Sequence, residues 1–202
     1  MDHWLSMRAI FIDIETTGLD PTCHRSLEIA CKVVDLSSGG LIAAYDSVIK
    51  QPLSVWQASD PVSLGVNGFK WEDLQQGCEE SQVAEQLVSF LQSLKIMRGN
   101  ACFIAQNPTF DRAFFAQLVP IYRQEQLHLP YHWLDFASMY WALRVQALRS
   151  GKLKLETPDI NLSKDFIAKE YGLEPEPQPH RAMNGVDHLI HCYSRVVGWI
   201  SS

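Results

Sequence analysis

The chain has 202 residues, of which 47% are apolar, and its net charge is −6. This length fits one domain, residues 1–202, with a full hydrophobic core. Since we find no run approaching the roughly 18 apolar residues of a membrane span, we expect a soluble protein without membrane association. The negative charge argues against a protein that coats long nucleic acid, but it does not exclude an enzyme that grips one strand end.

The N-terminus and the cysteines both bear on cellular location. The first residues, Met1–Trp4, are too polar for a secretory leader. Five scattered cysteines without C-x-x-C spacing favour reduced thiols over a disulfide framework or a zinc site. We therefore expect a cytoplasmic protein. The cysteines are Cys23, Cys31, Cys78, Cys102 and Cys192.

Three apolar segments within the first 50 residues predict strands. They cover Arg8–Asp13, Leu27–Asp35 and Leu41–Lys50. The segment Ser37–Gly40 is rich in turn-forming residues and separates the second from the third. Short connections of this kind predict an antiparallel meander.

Helical periodicity and short apolar runs alternate through the rest of the chain. The order βββαβαβααα predicts a mixed sheet covered by helices. A Pro-rich segment, Glu174–Pro179, predicts a stiff extended connector before the last helix. The other predicted elements are helices over Val83–Leu94 with Ser81 as cap, Phe110–Ile121 with Thr109 as cap, Phe136–Leu148, Leu162–Tyr171 and Val186–Ile200, and strands over Ala101–Gln106 and Trp133–Asp135.

Two acidic residues stand at the end of the first predicted strand. Asp13 and Glu15 are two positions apart, so their side chains point to the same face of the strand. Like charges beside a buried strand lose hydration and repel each other, at several kcal/mol each without compensation. A divalent cation would compensate them, and carboxylate oxygens favour magnesium, calcium or manganese.

Two later segments also carry an acid at the start of a predicted helix. The first, Asn107–Asp111, follows a buried strand, and the second, His180–Asp187, begins with a histidine. Each acid also has a simpler explanation, because a carboxylate in the first turn of a helix gains roughly 0.3–1 kcal/mol from the macrodipole.

Together these segments resemble the motifs of the DEDD-type 3′–5′ exonucleases. Asp13–Gly18 is similar to their first motif, Asn107–Asp111 to their second, and His180–Ala182 to the third motif of the histidine branch. That branch contains polymerase proofreading subunits, RNase T and oligoribonuclease. The resemblance implies an α/β, RNase H-like fold with a mixed five-stranded sheet flanked by helices.

The resemblance also implies hydrolysis of phosphodiester bonds at 3′ ends of single-stranded DNA or RNA with two Mg²⁺ or Mn²⁺ ions. Asp13 would bridge both ions, Glu15 would help hold the first and Asp111 the second. His180 would be the general base, because its unperturbed pKa of about 6.5 suits proton transfer near neutral pH. The relatives suggest a homodimer, while the residues themselves do not decide between DNA and RNA.

Five further residues are candidates for substrate binding by the same resemblance. They are Thr16, Gly18, Leu19, Phe69 and Asn107. In the manner of the family, Leu19 and Phe69 would stack against terminal bases. Either could equally be a packing residue, and Asn107 could simply form the turn before Pro108.

The third motif departs from the family pattern. The family has an aspartate five residues after the histidine, but this chain has Gly185 there, and Asp187 comes two residues later. Asp187 could act as a catalytic metal ligand if the loop extends through Gly185 and the helix begins near Val186. Otherwise the site lacks one ligand, and the alternative function is a catalytically degenerate nucleic-acid- or nucleotide-binding module.

Overall fold

The computed structural model describes residues 7–153 and 160–200, which form a six-stranded mixed sheet with helices on both faces. The strand order is β4-β3-β2-β1-β5-β6. The N-terminal segment Met1–Trp4 lies outside the described residues. The strands are β1 (Arg8–Thr16), β2 (Ser26–Asp35), β3 (Leu41–Lys50), β4 (Cys78–Glu79), β5 (Ala101–Ala105) and β6 (Trp133–Asp135).

The pairing of the strands confirms the predicted meander. β1 pairs antiparallel with β2, and β2 with β3, whereas β5 runs parallel to both β1 and β6. The sixth strand is β4, whose two residues are too few to give a sequence period. β1 is longer than predicted, because it continues through Asp13 and Glu15 to Thr16 in register with β2.

The helices match the predicted order, with additions and shifted ends. Three short helices between β3 and β4 were not predicted, because none has enough residues for a helical stripe. The predicted caps Ser81 and Thr109 lie inside helices that begin one residue or more earlier. The helices are α1 (Leu53–Gln57), α2 (Pro61–Asn67), α3 (Trp71–Gln75), α4 (Glu80–Ser93), α5 (Pro108–Leu118), α6 (Ile121–Gln126), α7 (Phe136–Arg149), α8 (Lys164–Glu170) and α9 (Ala182–Val196).

The alternation of β1 builds a core on each face of the sheet. Ile10, Ile12 and Ile14 pack into the cluster formed with α4 and α5. Ala9 and Phe11 face the opposite cluster, which contains the buried face of α9. Asp13 and Glu15 follow in the same alternating row as Ala9 and Phe11, so this row changes from apolar to acidic beneath the start of α9.

The structure also shows the lengths of the helices and the state of the cysteines. No helix in the described part of the chain is long and apolar enough to cross a membrane. All five cysteines lie within the described residues and are free thiols.

Candidate functional site

One pocket brings together residues from the three predicted motifs. Asp13 and Glu15 enter it from β1, Asp111 from the first turn of α5, and His180 from the segment before α9. The sequence did not single out the other residues of the wall as site residues: Ile14, Gln106, Phe110, Ser163, Lys164, Asp165 and Glu176. Acids that are far apart in the chain therefore line a common cavity.

The acids of the pocket are poorly compensated. Desolvation raises the pKa of Asp13 to about 7, with Lys164 opposing this shift and Glu176 adding to it. Desolvation and the neighbouring Asp13 carboxylate raise the pKa of Glu15 to about 8. The same two causes raise the pKa of the buried Asp111 well above its ordinary value. The pocket thus disfavours further negative charge and favours a cation.

Lys164 is the cation that the fold itself supplies to these acids. It is the first residue of α8, and only 11% of its side chain is exposed. Its Nζ lies 2.6 Å from Oε2 of Glu176 and donates a hydrogen bond of 3.2 Å to the carbonyl of Gly185. No sequence pattern indicated this role, because a lysine that begins a helix is ordinarily exposed.

Glu176 is the buried residue of the Pro-rich connector. Its side chain is 2% exposed, although the prolines on either side of it are exposed. Its backbone N–H donates to Oδ1 of Asp165, at 3.0 Å, which ties the connector to α8. The sequence predicted an extended connector here but not an inward-facing acid, since an irregular segment has no period that reveals its buried side.

His180 is held between the connector and α2. Its backbone N–H donates to the carbonyl of Val66 at 3.1 Å. Its Nδ1 lies 3.2 Å from Oε1 of Glu176. The histidine ring therefore faces the same acid that pairs with Lys164.

A second ion pair fixes the start of α9 without entering the acidic pocket. Arg181 donates through Nε and Nη2 to the carboxylate of Glu28, at 3.1 and 3.0 Å. That carboxylate also accepts the backbone N–H of Ala182 at 2.8 Å, at the N-terminal end of the helix. Glu28 comes from β2 and pairs across the sheet with Glu15, so this contact aligns α9 with the acidic end of β1.

The last helix begins at Ala182, so the expected start near Val186 is wrong. Gly185 lies in its first turn directly over Asp13, and a Cβ atom at Gly185 would lie 2.4 Å from Asp13 Oδ2. The helix can begin at Ala182 because the Glu28 carboxylate accepts the first N–H group of the helix, so no side chain of the preceding loop is needed as a cap. The position expected to carry the third-motif acid is thus in the pocket, but it carries no side chain.

Asp187 does not replace that acid. Two helical positions rotate a side chain by about 200°, and Asp187 points to another surface, where it forms an ion pair with Lys32. It is 45% exposed and borders a separate cavity with Asn184 and His191. The expectation that Asp187 reaches the catalytic acids is therefore wrong.

The predicted substrate-binding residues divide into two groups. Thr16 and Leu19 line an apolar groove that adjoins the acidic pocket through Glu15 and Phe110. Leu19 is 74% exposed, so its side chain is accessible to a ligand. Gly18 lies in the turn between them, where a Cβ atom would meet the His24 ring at 2.4 Å.

Phe69 and Asn107 have structural roles instead. Phe69 is 4% exposed in a small core cluster, and the Arg181 guanidinium covers its ring at 4.0 Å, so the expected base stacking by Phe69 is wrong. Asn107 is exposed and has a left-handed backbone, φ 55°, ahead of α5. It lies outside the acidic pocket, and its Oδ1 accepts a hydrogen bond from Thr109 at 2.9 Å.

The donor atoms of the pocket suit a hard cation, but the arrangement of the side chains does not yet form a coordination site. Its carboxylate oxygens are the donors that Mg²⁺ and Mn²⁺ prefer. However, in residues 7–153 and 160–200 no three His, Cys, Asp or Glu side chains are grouped so that they could hold a metal ion. The ammonium of Lys164 and the missing side chain at Gly185 explain why the cage is not closed. Cation binding therefore requires the carboxylates to turn toward a common point.

Comparison with known proteins identifies the family. The chain belongs to the RNase T family of exonucleases, whose family model matches residues 10–190. This confirms the family expected from the three motifs.

Individual relatives are distant. The chain is 23% identical over 188 residues to the PolC-type DNA polymerase III of Thermotoga petrophila, covering 93% of this chain and 12% of that protein. It is 28% identical over 118 residues to the oligoribonuclease of Nitrosomonas europaea, covering 57% of this chain and 65% of that protein. The match thus spans less than two thirds of each of these relatives.

Solved structures share the fold. The structure of E. coli exonuclease I in complex with a dT13 oligonucleotide matches with a TM-score of 0.70 and 19% identity, covering 94% of this chain and 41% of that one. The structure of a 3′-exonuclease recognising the 3′ end of a histone mRNA stem-loop matches with a TM-score of 0.70 and 10% identity, covering 98% and 66%. These likenesses confirm the nuclease-type α/β fold, with one strand more than predicted.

Proposed function

We propose that this protein is a 3′–5′ exonuclease that depends on Mg²⁺ or Mn²⁺ and releases nucleoside 5′-monophosphates from single-stranded ends. The observation that carries the proposal is the charge of the pocket. Five carboxyl side chains, those of Asp13, Glu15, Asp111, Asp165 and Glu176, share it with one ammonium, that of Lys164. A divalent cation would relieve this excess, and family membership supports the same chemistry.

In this proposal Asp13, Glu15 and Asp111 hold the cation. When bound, a divalent ion polarises the phosphate and lowers the pKa of a coordinated water. His180 accepts the proton of the attacking water. A proton on Nδ1 would face Glu176, which leaves Nε2 free to act as the base.

The adjoining groove supports the choice of substrate. Leu19, Val62, Val66 and Phe110 give it an apolar wall beside the acids. An unpaired terminal base could pack against such a wall, because stacking requires only an exposed apolar or aromatic face. Exonuclease I in complex with dT13 and the 3′-exonuclease on histone mRNA give precedents for DNA and RNA ends in proteins of this fold.

The cellular setting is inferred from weaker observations. Five free thiols are compatible with a reducing compartment, and we infer a cytoplasmic protein. A homodimer is proposed solely from the family resemblance, and sedimentation of the purified chain would test it.

An assay with end-labelled oligonucleotides tests the activity. We expect stepwise shortening of 5′-labelled single strands in Mg²⁺ or Mn²⁺, and early release of labelled mononucleotide from 3′-labelled strands. Asp13→Asn should abolish both, whereas Asp187→Asn should behave like the parent, because Asp187 lies outside the pocket. Shortening that Asp13→Asn leaves unchanged, or none by the parent, would refute the proposal.

A second candidate is a binding module that has lost hydrolysis. Gly185 and the absence of a closed metal-binding group among the described residues favour it. Such a module would bind single strands or mononucleotides and leave them intact, so a binding measurement beside the cleavage assay separates the two functions.

A further inference from the structure

We propose that the ammonium of Lys164 takes the place of one of the two divalent ions, so that this site binds one divalent ion per chain. The inference rests on the proposed function, because it assigns the cations of that same pocket. It concerns a residue that neither the sequence motifs nor the family resemblance singled out.

The position of Lys164 is the first support. Its Nζ donates to the carbonyl of Gly185, at 3.2 Å. Gly185 is also the residue whose missing Cβ would lie 2.4 Å from Asp13 Oδ2. The ammonium therefore stands beside the position where the expected acid is absent and next to the acid that the family resemblance assigns to both ions.

The second support is that the ammonium is fixed in place. Glu176 holds it at 2.6 Å from one side and the first turn of α9 holds it from the other. Both side chains of the ion pair are buried, at 11% and 2% exposure, so water competes weakly for either. An ammonium has three N–H donors, and these two contacts leave one for a further acceptor such as a phosphate oxygen.

The third support is the surroundings of the position that Gly185 leaves open. Five carboxyl side chains line the pocket, but that of Asp165 is 50% exposed and accepts the backbone N–H of Glu176. A second divalent ion beside Gly185 would lack the third-motif acid and would stand close to the buried ammonium of Lys164. Like charges repel strongly where water is excluded.

The role of Lys164 follows from this arrangement. A lysine ammonium is a compact point charge that binds phosphate oxygens. Since Glu176 also faces Nδ1 of His180, the ammonium and the proposed general base lie beside the same carboxylate. Lys164 would thus stabilise the phosphate beside the water that His180 deprotonates.

The test counts Mn²⁺ ions on the full chain. Calorimetric titration with Mn²⁺, in the presence of a nucleoside 5′-monophosphate, should give one ion per chain for the parent and for Lys164→Arg. Lys164→Met should give two, because the carboxylates of the pocket then lack a resident cation. Lys32→Met is the matched control: its ammonium pairs with Asp187 outside the pocket, so one ion is expected.

Activity provides the second readout. With one equivalent of Mn²⁺ per chain, Lys164→Met should cleave about 10²–10³-fold more slowly than the parent, comparable to removing one donor that stabilises a transition-state anion. Lys164→Arg should restore most of the rate. Two ions on the parent, or one on Lys164→Met, would overturn the inference.

The outcomes also separate this inference from the proposed function. Two ions together with cleavage by the parent would refute the role of Lys164 and leave the exonuclease intact. No ion and no cleavage would refute both. The count on the parent requires no variant, so the inference can still be refuted if Lys164→Met fails to fold.

Discussion

At the residue scale, Asp13 and Glu15 link the sequence to the chemistry. They lie two positions apart on a strand whose earlier residues are core, and this spacing alone predicted a shared face. Their pKa values are raised to about 7 and about 8, because burial penalises both charged forms and the Asp13 carboxylate adds to this penalty at Glu15. In the cation-free protein these acids oppose folding when they ionise.

This gives a prediction for stability against pH. The folded pKa of Asp13 lies above its ordinary value, so the folded state binds a proton that the unfolded state releases, and stability falls as the pH rises from about 4 to about 7. Asp13→Asn has no such proton. We expect the variant to gain stability relative to the cation-free parent as pH rises, by up to about 1.4 kcal/mol per pH unit.

Urea unfolding of both proteins in a chelator measures this difference. Lys164, Glu176 and Glu28 also act on the pKa of Asp13, and these groups are present in both proteins. The difference in stability therefore reports the ionisation of Asp13 together with its repulsion of Glu15 and Asp111. A difference that stays constant between about pH 4 and 8 would contradict the raised pKa.

Gly185 gives a second prediction at this scale. A methyl group there would lie 2.4 Å from Asp13 Oδ2, so Gly185→Ala must displace the Asp13 carboxylate. We expect at least about a 10²-fold loss of cleavage rate, because misplacing reacting groups by about 1 Å costs this much. Gly65→Ala is the control, because nothing lies within 4 Å of a Cβ at that position.

Near-parental activity of Gly185→Ala, or an equal loss in Gly65→Ala, would contradict the close approach of Gly185 to Asp13. Circular dichroism of both variants would show whether a loss of activity reflects a loss of folding.

Sequence could predict some of these residues and not others. The motif residues Asp13, Glu15, Asp111 and His180 could be assigned because each has a distinctive local pattern. Lys164 and Glu176 could not, because they come from a helix start and an irregular connector where no period marks the inward face. Phe69 was misassigned because an apolar side chain near a motif looks the same whether it stacks on a base or packs in a core.

At the element scale, the start of α9 sets the geometry of the pocket. The sequence placed this start four residues too late, since Asn184 and Gly185 form a turn pattern. The helix begins at Ala182 because a carboxylate from β2 reaches its first N–H group. Such a cap from a distant strand is invisible to local sequence rules, which consider only neighbouring residues.

Removing this cap should loosen α9. Glu28→Gln keeps the shape of the side chain but loses the ion pair with Arg181 and weakens the bond to the Ala182 N–H. We expect a loss of about 2 kcal/mol in the free energy of unfolding, measured with urea. The control is Glu125→Gln, whose exposed pair with Arg98 should contribute at most about 1 kcal/mol.

Equal stability losses in the two variants would contradict the special role of Glu28. A loss in Glu28→Gln accompanied by slower cleavage would also show that the position of α9 matters for the pocket.

At the scale of the whole molecule, the overall fold was predicted more accurately than the ends of individual elements and the irregular segments. The antiparallel meander could be predicted because β1, β2 and β3 are long apolar segments, and the structure pairs these three strands as expected. The short β4 and the three helices before it have too few residues to give such periods. Tertiary contacts decide elements of this length.

The central claim is that acids from separate elements hold a common cation. Electron paramagnetic resonance of Mn²⁺, which distinguishes free from bound ions, tests it with the parent, Asp13→Asn on β1 and Asp111→Asn on α5. The account predicts that the parent binds Mn²⁺ and that each variant alone binds it at least about tenfold more weakly. Equal Mn²⁺ binding by all three proteins, or none by the parent, would contradict it.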